Sequence, residues 1–323
     1  MTPPAPPIQV AVSVDVEEDG LGRGRYPRIP PGVSNVAALE RLAFVTRDWG
    51  IPLTLLATHP VVMDDACANR LSRWHADLGA EIGAHLHPWN TPPFSDDGPD
   101  PGGDPTPLDA EKIATLRSAI EQRIGVVPSS FRMGRFAIRE RLFDDLQRAG
   151  FSRDASVVPF HASSGALPAY ASSPAPFLLR PPSGASGALW EIPLTTLPVW
   201  PPAGRWMAKA TLGRQRPGPA ALQAAFQRVG VVGVHPAWFS LPAMCAAARL
   251  HAARGGRLIH VFLHSSDLLP GCTPAVPTER AARRMLDRLA RFLRWLHRRQ
   301  AVAGATLASA ALDSPFPAPH PFC

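Results

Sequence analysis

Cysteine is scarce in this sequence, and long apolar runs are missing. The four cysteines, Cys67, Cys245, Cys272 and Cys323, are widely spread and form no CxxC pair. That excludes a zinc ribbon and a disulfide framework and suits a reducing compartment. No apolar stretch reaches the roughly 18 residues that a transmembrane helix requires. The opening MTPPAPPIQVAVSVDVEED has neither a basic region nor an apolar run ahead of its first carboxylates. It does not read as a secretory signal, so a cytoplasmic location is expected. Motifs for nucleic-acid binding are also lacking. The formal charge of +7, carried almost entirely by arginine, therefore reads as composition rather than as a nucleic-acid footprint.

What is present is an apolar share of 46% over 323 residues, enough for one sizeable core. Proline is abundant, at 38 residues, and clusters at 3–7, 92–107, 168–182, 198–202 and 315–321. Lacking the amide donor that helix and sheet interiors need, these prolines read as loops and tails.

Between them the period of the apolar residues switches repeatedly. Val10, Val12, Val14 and Val16 alternate with Ala11, Ser13, Asp15 and Glu17, which predicts a strand whose second face points at something other than a plain core. Strands are also expected at Pro52–Thr58, Glu81–His87, Ser129–Arg132, Asp154–Val158, Trp190–Leu197, Val231–His235 and Leu258–His264. Helical spacing marks Val36–Trp49, Met63–Leu78, Leu108–Ile124, Arg139–Ala149, Pro219–Arg228, Pro242–Arg254 and Thr278–Arg299. Such alternation argues for βα units and a mostly parallel sheet, and about seven strands favour a barrel. The last helix carries arginines on one face and Met285, Leu289, Phe292 and Leu296 on the other. Its basic side reads as a solvated face in preference to a peripheral membrane contact.

The polar residues fall where such a fold builds its site. Asp15 and Glu17 end the first strand, His85 and His87 the third, and His264 the last; Arg132 and Arg135 follow the fourth, and Asp154 begins the next. Strand ends converge on one mouth in a parallel α/β fold. His85 and His87 are two apart, so an extended chain sends both side chains to one face. With a carboxylate from Asp15 or Glu17 they make a His-His-carboxylate set with an open position, a usual form of a catalytic Zn²⁺ or related site.

The segments SVDVEED (13–19), EIGAHLHPWNTPPF (81–94), FRMGRF (131–136), DASVVP (154–159) and LIHVFLHSSDLLPG (258–271) come in the order of the motifs of the polysaccharide deacetylase (NodB-homology, carbohydrate esterase) family. The chain resembles that family, and most of all its WalW-like intracellular branch. The resemblance implies an α/β fold, a distorted (β/α) barrel, over residues 8–300, with a tail at 1–7 and an extension at 301–323. It implies a hydrolase that removes an N-acetyl group from a carbohydrate with the help of one divalent metal, zinc first, with cobalt, nickel or manganese as other candidates. Asp15 stands at the position of the family's catalytic base, Arg132 at that of the arginine holding the base, and Asp154 at that of the acid orienting the late histidine. His264 matches the histidine that protonates the leaving amine. Glu17, His85 and His87 are the metal ligands that the resemblance suggests, and Arg135 and Trp89 are candidates for binding substrate.

The sequence departs from the family at two places. Val16 stands where a metal-binding aspartate is usual, so either Glu17 substitutes or Asp15 itself binds the metal. The two histidines are two apart instead of four, with Trp89 at the usual second position. Two other readings stay open on the same residues: a metal-free amidase of the allantoinase-like kind, and an inactive carbohydrate-binding barrel.

Overall fold

The computed structural model describes residues 6–21, 26–94, 108–160, 172–184, 187–211 and 217–312. Most of the expected tail, the proline-rich loop beyond Phe94 and the end of the C-terminal extension lie outside them. The first half of the chain runs β1 (Ile8–Val16), α1 (Ala43–Arg47), β2 (Leu53–Ala57), α2 (His59–Met63), α3 (Asp65–Leu78), β3 (Glu81–Leu86), α4 (Asp109–Ile124), β4 (Ser130–Met133), α5 (Arg141–Arg148) and β5 (Arg153–Asp154). The second half continues with β6 (Phe177–Leu179), β7 (Leu189–Glu191), β8 (Thr196–Pro198), α6 (Pro201–Thr211), α7 (Pro217–Gly230), β9 (Val231–Gly233), α8 (Leu241–Ala253), β10 (Leu258–His264), α9 (Glu279–His297) and β11 (Val302–Ala305).

Seven parallel strands, in the order β10-β1-β2-β3-β4-β5-β7, form a curled sheet, with β6 antiparallel at its edge. This is the expected distorted (β/α) barrel. β1 is its axis of pairing: β10 lies along one side, while β11 and β2 share the other, meeting Ile8–Ala11 and Val12–Val16 respectively. β11 thus belongs to the sheet although it falls in the stretch expected as an extension. Among the described residues no strand closes the gap between β7 and β10. Loop hydrogen bonds bridge it instead, from Thr195 N–H to the His260 carbonyl (3.2 Å) and from His260 N–H to Thr195 Oγ1 (2.9 Å).

The alternation read in β1 sorts its two faces. Val10, Val12, Val14 and Val16 enter the large cluster between sheet and helices, with Met285, Leu289, Phe292 and Leu296 of α9. The other face turns into the barrel. Ala11 packs there with Leu56, Ala155, Ile192 and Leu307, and above it Ser13 and Asp15 meet polar partners.

Several expected elements differ. Ser34–Leu42 is a 3-10 helix, and only Ala43–Arg47 is α-helical in the stretch read as one long helix. The strand expected over Trp190–Leu197 is two, β7 and β8, because Pro193 lacks an amide to continue the ladder. β8 leaves the barrel and pairs antiparallel with β9. The proline cluster at 198–202 is expected as a loop, yet Pro201 and Pro202 open α6, in whose first turn missing amides cost nothing.

Candidate active site

The C-terminal ends of β1, β3 and β10 and the turn after β4 surround one pocket, lined by Asp15, Glu17, His85, His87, Arg135 and His264 with Tyr26, Phe136 and Trp89 at its walls. All but Tyr26 and Phe136 were named from the sequence as site residues. The convergence of strand ends therefore places eight of the nine residues expected from the sequence in one region, Arg132 included through its bond to Asp15, and Asp154 alone lies behind it.

Glu17, His85 and His87 offer one ligand atom each within a sphere that a single ion could occupy, and all three are buried. Glu17 Oε2 lies 3.6 Å from each histidine Nε2, and the two Nε2 atoms are 3.0 Å apart. Their outer nitrogens decide the tautomers. His85 Nδ1 is 3.1 Å from the Arg132 carbonyl, which can only accept, so that nitrogen carries the proton. His87 Nδ1 is 2.8 Å from Glu18 Oε1 and likewise donates. With Nδ1 so engaged, each ring turns its Nε2 toward the other, and without a proton there each would present a bare lone pair. Two lone pairs facing at this distance need a cation between them, either a proton or a metal. The donor set fits a divalent ion, and the carbonyl and carboxylate behind the rings are the outer partners that such ligands ordinarily have.

Glu18 was not singled out from the sequence, and it organises this half of the site. Its buried carboxylate accepts from His87 Nδ1, Trp89 Nε1 (3.2 Å), Asn90 Nδ2 (2.5 Å) and Thr58 Oγ1 (3.1 Å). Burial alone would raise its pKa, but the His87 ring and these donors hold it down at about 2. Burial likewise acts to lower the His87 pKa, and Glu18 overrides it and raises it. Trp89, expected as a sugar platform, is 1% exposed. His87 stacks on it (4.2 Å between centroids), and Tyr26 covers it too (4.8 Å), so most of the ring is spent on packing and on Glu18. Gly134 completes the support: a Cβ there would stand 2.7 Å from His87 Cδ2.

Asp15 sits beside this group, its Oδ2 3.5 Å from His85 Nε2. Arg132, fully buried inside the barrel, donates NH1 to Asp15 Oδ1 (2.5 Å), NH2 to Ser13 Oγ (2.9 Å) and Nε to the Ala155 carbonyl (2.7 Å). Burial pushes the Asp15 carboxyl up, but the Arg132 guanidinium, aided by His85 and His264, keeps it below its ordinary value and ionised. Removing either partner would strand a buried charge, at a cost of about 3–5 kcal/mol. His260 finishes the network from β10. Its Nδ1 donates to the Ile192 carbonyl (3.0 Å) and its Nε2 accepts from Ser13 Oγ (2.7 Å); burial, then Arg132, keeps it neutral with a pKa of about 3.

Across the pocket, His264 is held by Asp267. The carboxylate accepts from His264 Nδ1 (3.3 Å), from its backbone N–H (3.1 Å) and from Thr273 Oγ1 (3.2 Å). Burial disfavours the imidazolium, yet Glu17, Asp267 and Asp15 outweigh it and raise the pKa to about 9. The acid expected to orient His264 was Asp154, and this is corrected. Asp154 is buried on β5 opposite Glu191 of β7 and accepts from Ser156 Oγ (2.6 Å). Asp267 takes the orienting place because it lies three residues after His264 in the turn that follows β10. The spacing H-x-x-D directly after a strand is the signal that would have found it.

Arg135 and Phe136 both adopt left-handed backbone (φ 57° and 55°), a conformation that side-chain-bearing residues rarely hold without a functional or packing reason. The turn brings both side chains to the pocket, with the Arg135 guanidinium 5.0 Å above the Tyr26 ring.

No protein-family model matches the sequence, and no curated protein matches it either. Solved structures do. One, from Mycobacterium smegmatis and assigned as a polysaccharide deacetylase, is 19% identical, covers 94% of this chain and 92% of its own, and has a TM-score of 0.50. A family 4 carbohydrate esterase from Streptomyces lividans in complex with acetate is 11% identical over 96% of this chain and 98% of its own, with a TM-score of 0.37. A 4-alpha-glucanotransferase from Thermococcus litoralis is 8% identical over 92% of this chain and 37% of its own, with a TM-score of 0.42. The likeness to the first of these shows that the chain shares the distorted (β/α) barrel of a protein assigned as a polysaccharide deacetylase, and its chemistry rests on the site itself.

Proposed function

We propose that the chain is a divalent-metal-dependent hydrolase that removes the N-acetyl group from an amino sugar or a polysaccharide precursor. The observation that carries this reading is the pair of histidine lone pairs converging with Glu17, between an ionised Asp15 and a protonated His264. Glu17, His85 and His87 would hold the ion. Its chemistry, when bound, is to polarise an amide carbonyl and to acidify water toward neutral pH. The nitrogen and oxygen donors suit zinc first, and cobalt, nickel or manganese after it.

The chain's own groups divide the proton work. Asp15 is the base: Arg132 keeps it ionised and fixes Oδ1, leaving Oδ2 on the His85 side to take a proton from the attacking water. His264 is the acid. Its Nδ1 belongs to Asp267, so Nε2 delivers the proton to the departing amine. One acid and one base poised in opposite protonation states at neutral pH are what amide hydrolysis needs, with acetate and a free amine as products. Arg135 and Phe136 would contact the sugar at the rim. The choice of an N-acetyl sugar as substrate is supported by the motif order and by the shared fold, and the acid-base set by the site.

Elemental analysis of chain purified without chelator, paired with acetate release from N-acetylated sugars, tests the proposal. We expect about one divalent metal per chain and loss of both metal and acetate release in His85→Ala. A wild-type chain that takes up none of these ions when offered them refutes it.

A further inference from the structure

Five of the eleven exposed large apolar residues among the described residues are gathered in one corner. Among the described residues, Val199, Trp200, Trp206, Leu222 and Val229 are exposed by 41–81%, and they fall on α6, α7 and the segments flanking them. Val199 N–H bonds to the Gly230 carbonyl (2.9 Å), which sets Val199 and Trp200 next to Val229. On α6, Gly204 and Met207 turn inward toward Phe160, leaving Trp206 on the outer side. Folding has no use for two tryptophans held in water, and contiguous apolar surface of this kind marks a docking face.

The charge around it identifies what docks. Residues 192–266 contain no aspartate or glutamate, while eight arginines and lysines fall in that span. Arg228 is exposed beside Val229, and Arg254 lies against the patch with its guanidinium on the Pro198 (3.0 Å) and Val199 (3.1 Å) carbonyls. The basic face of α9 differs, since there Arg283 pairs with Glu279 and Arg291 with Asp287. Tryptophan rings settle at the headgroup level of a bilayer, where one edge is apolar and the other wet, and cations beside them meet lipid phosphates. We propose that the α6–α7 corner docks the protein on an anionic phospholipid surface.

The full-length chain would be mixed with vesicles of phosphatidylcholine alone and with vesicles containing about one third phosphatidylglycerol, then sedimented. We expect cosedimentation with the anionic vesicles only, a blue shift of tryptophan emission on binding, and release at high salt. Trp200→Ser/Trp206→Ser should bind about tenfold less or weaker, and Arg228→Glu, at an exposed helix end, several-fold less. Melting curves of the variants guard against misfolding, and if the double variant fails them Arg228→Glu alone decides. Wild-type chain that ignores anionic vesicles at low salt overturns the proposal, as does equal binding by the variants. So does a dimer in light scattering that the tryptophan substitutions abolish while vesicles bind nothing, which would make a second copy the occupant.

Discussion

Two clusters of histidine and carboxylate meet at the pocket, one lining it throughout and the other reaching it through His264, alike in residue type and opposite in hydrogen bonding. Glu17, His85 and His87 form one; His235, His264 and Asp267 form the other. In the first, both histidines donate outward through Nδ1, to a carbonyl and to Glu18, so lone pairs converge. In the second, His235 Nδ1 accepts from the Ala237 amide (3.1 Å), so its neutral ring carries the proton on Nε2, 3.8 Å from Asp267. Burial keeps His235 neutral, with a pKa of about 3, and Trp238 stacks flat against it (3.9 Å). His264 also spends its proton-bearing Nδ1 on Asp267. One cluster thus gathers acceptors and calls for a cation, whereas the other gathers donors around a carboxylate and already has its charge balanced. Ligand type alone does not distinguish a metal site; the partner of the outer nitrogen does.

The sharpest break of that comparison removes one member from each side. Glu17→Ala should leave the chain without stoichiometric metal and lower acetate release about 1,000-fold or more, as expected for losing several kcal/mol of charge stabilisation. His235→Ala should keep the metal, measured in the same preparation, because its Nε2 offers no lone pair. Loss of metal in His235→Ala would show the two clusters to be one site.

A smaller effect follows from taking away the carboxylate that holds His264. A group with a raised pKa stays protonated to higher pH, so the acid works until pH climbs through that value. An ion held by Glu17 cancels part of the field that raises His264, which puts the alkaline limb of the rate profile between about 6.5 and about 9. Asp267→Asn withdraws a further support and should move that limb toward acid, with a loss of about 100-fold in kcat at mildly alkaline pH and unchanged metal content. A limb that stays in place would dismiss His264 as the acid.

How far the sequence discloses this site depends on how each side chain is aimed. The period of two in β1 aims Asp15 inward opposite Val14 and Val16, and the parallel order brings His85 and His264 to the same mouth. Strand ends converge by geometry, so those residues were legible. Glu18 lies past the end of β1, where alternation no longer dictates direction, and its four donors come from distant segments. Asp154 was legible as a buried acid at a strand start, but its partner was not. Which strand follows β5 in the sheet depends on a long intervening stretch, and the sheet passes from β5 to β7, bypassing β6. The proline-led α6 was hidden by a composition that suits loops and first helical turns equally.

The Asp154–Glu191 pair yields the smallest effect and a test of what lies behind the site. The two face each other in register on parallel strands with no exposed surface, and Glu191 Oε1 accepts from Val157 N–H (3.0 Å). Burial raises both pKa values, that of Glu191 farthest because Asp154 adds its charge. One proton shared between them satisfies both, since two like charges at such a distance cannot both persist in a dry interior. Keeping that proton becomes more costly as pH rises above 4.5, the ordinary value for Glu191, up to its raised folded value. The contribution to stability is therefore complete at low pH and lost on the alkaline side. Glu191→Gln supplies a permanent N–H donor to Asp154 and has no proton to lose. Relative to wild type it should melt alike at pH 5 and higher at pH 8, by about 1–2 kcal/mol, with activity within a few-fold because Arg132 keeps Asp15 in place. Equal destabilisation at both pH values would mean that the pair is held by shape and not by a shared proton.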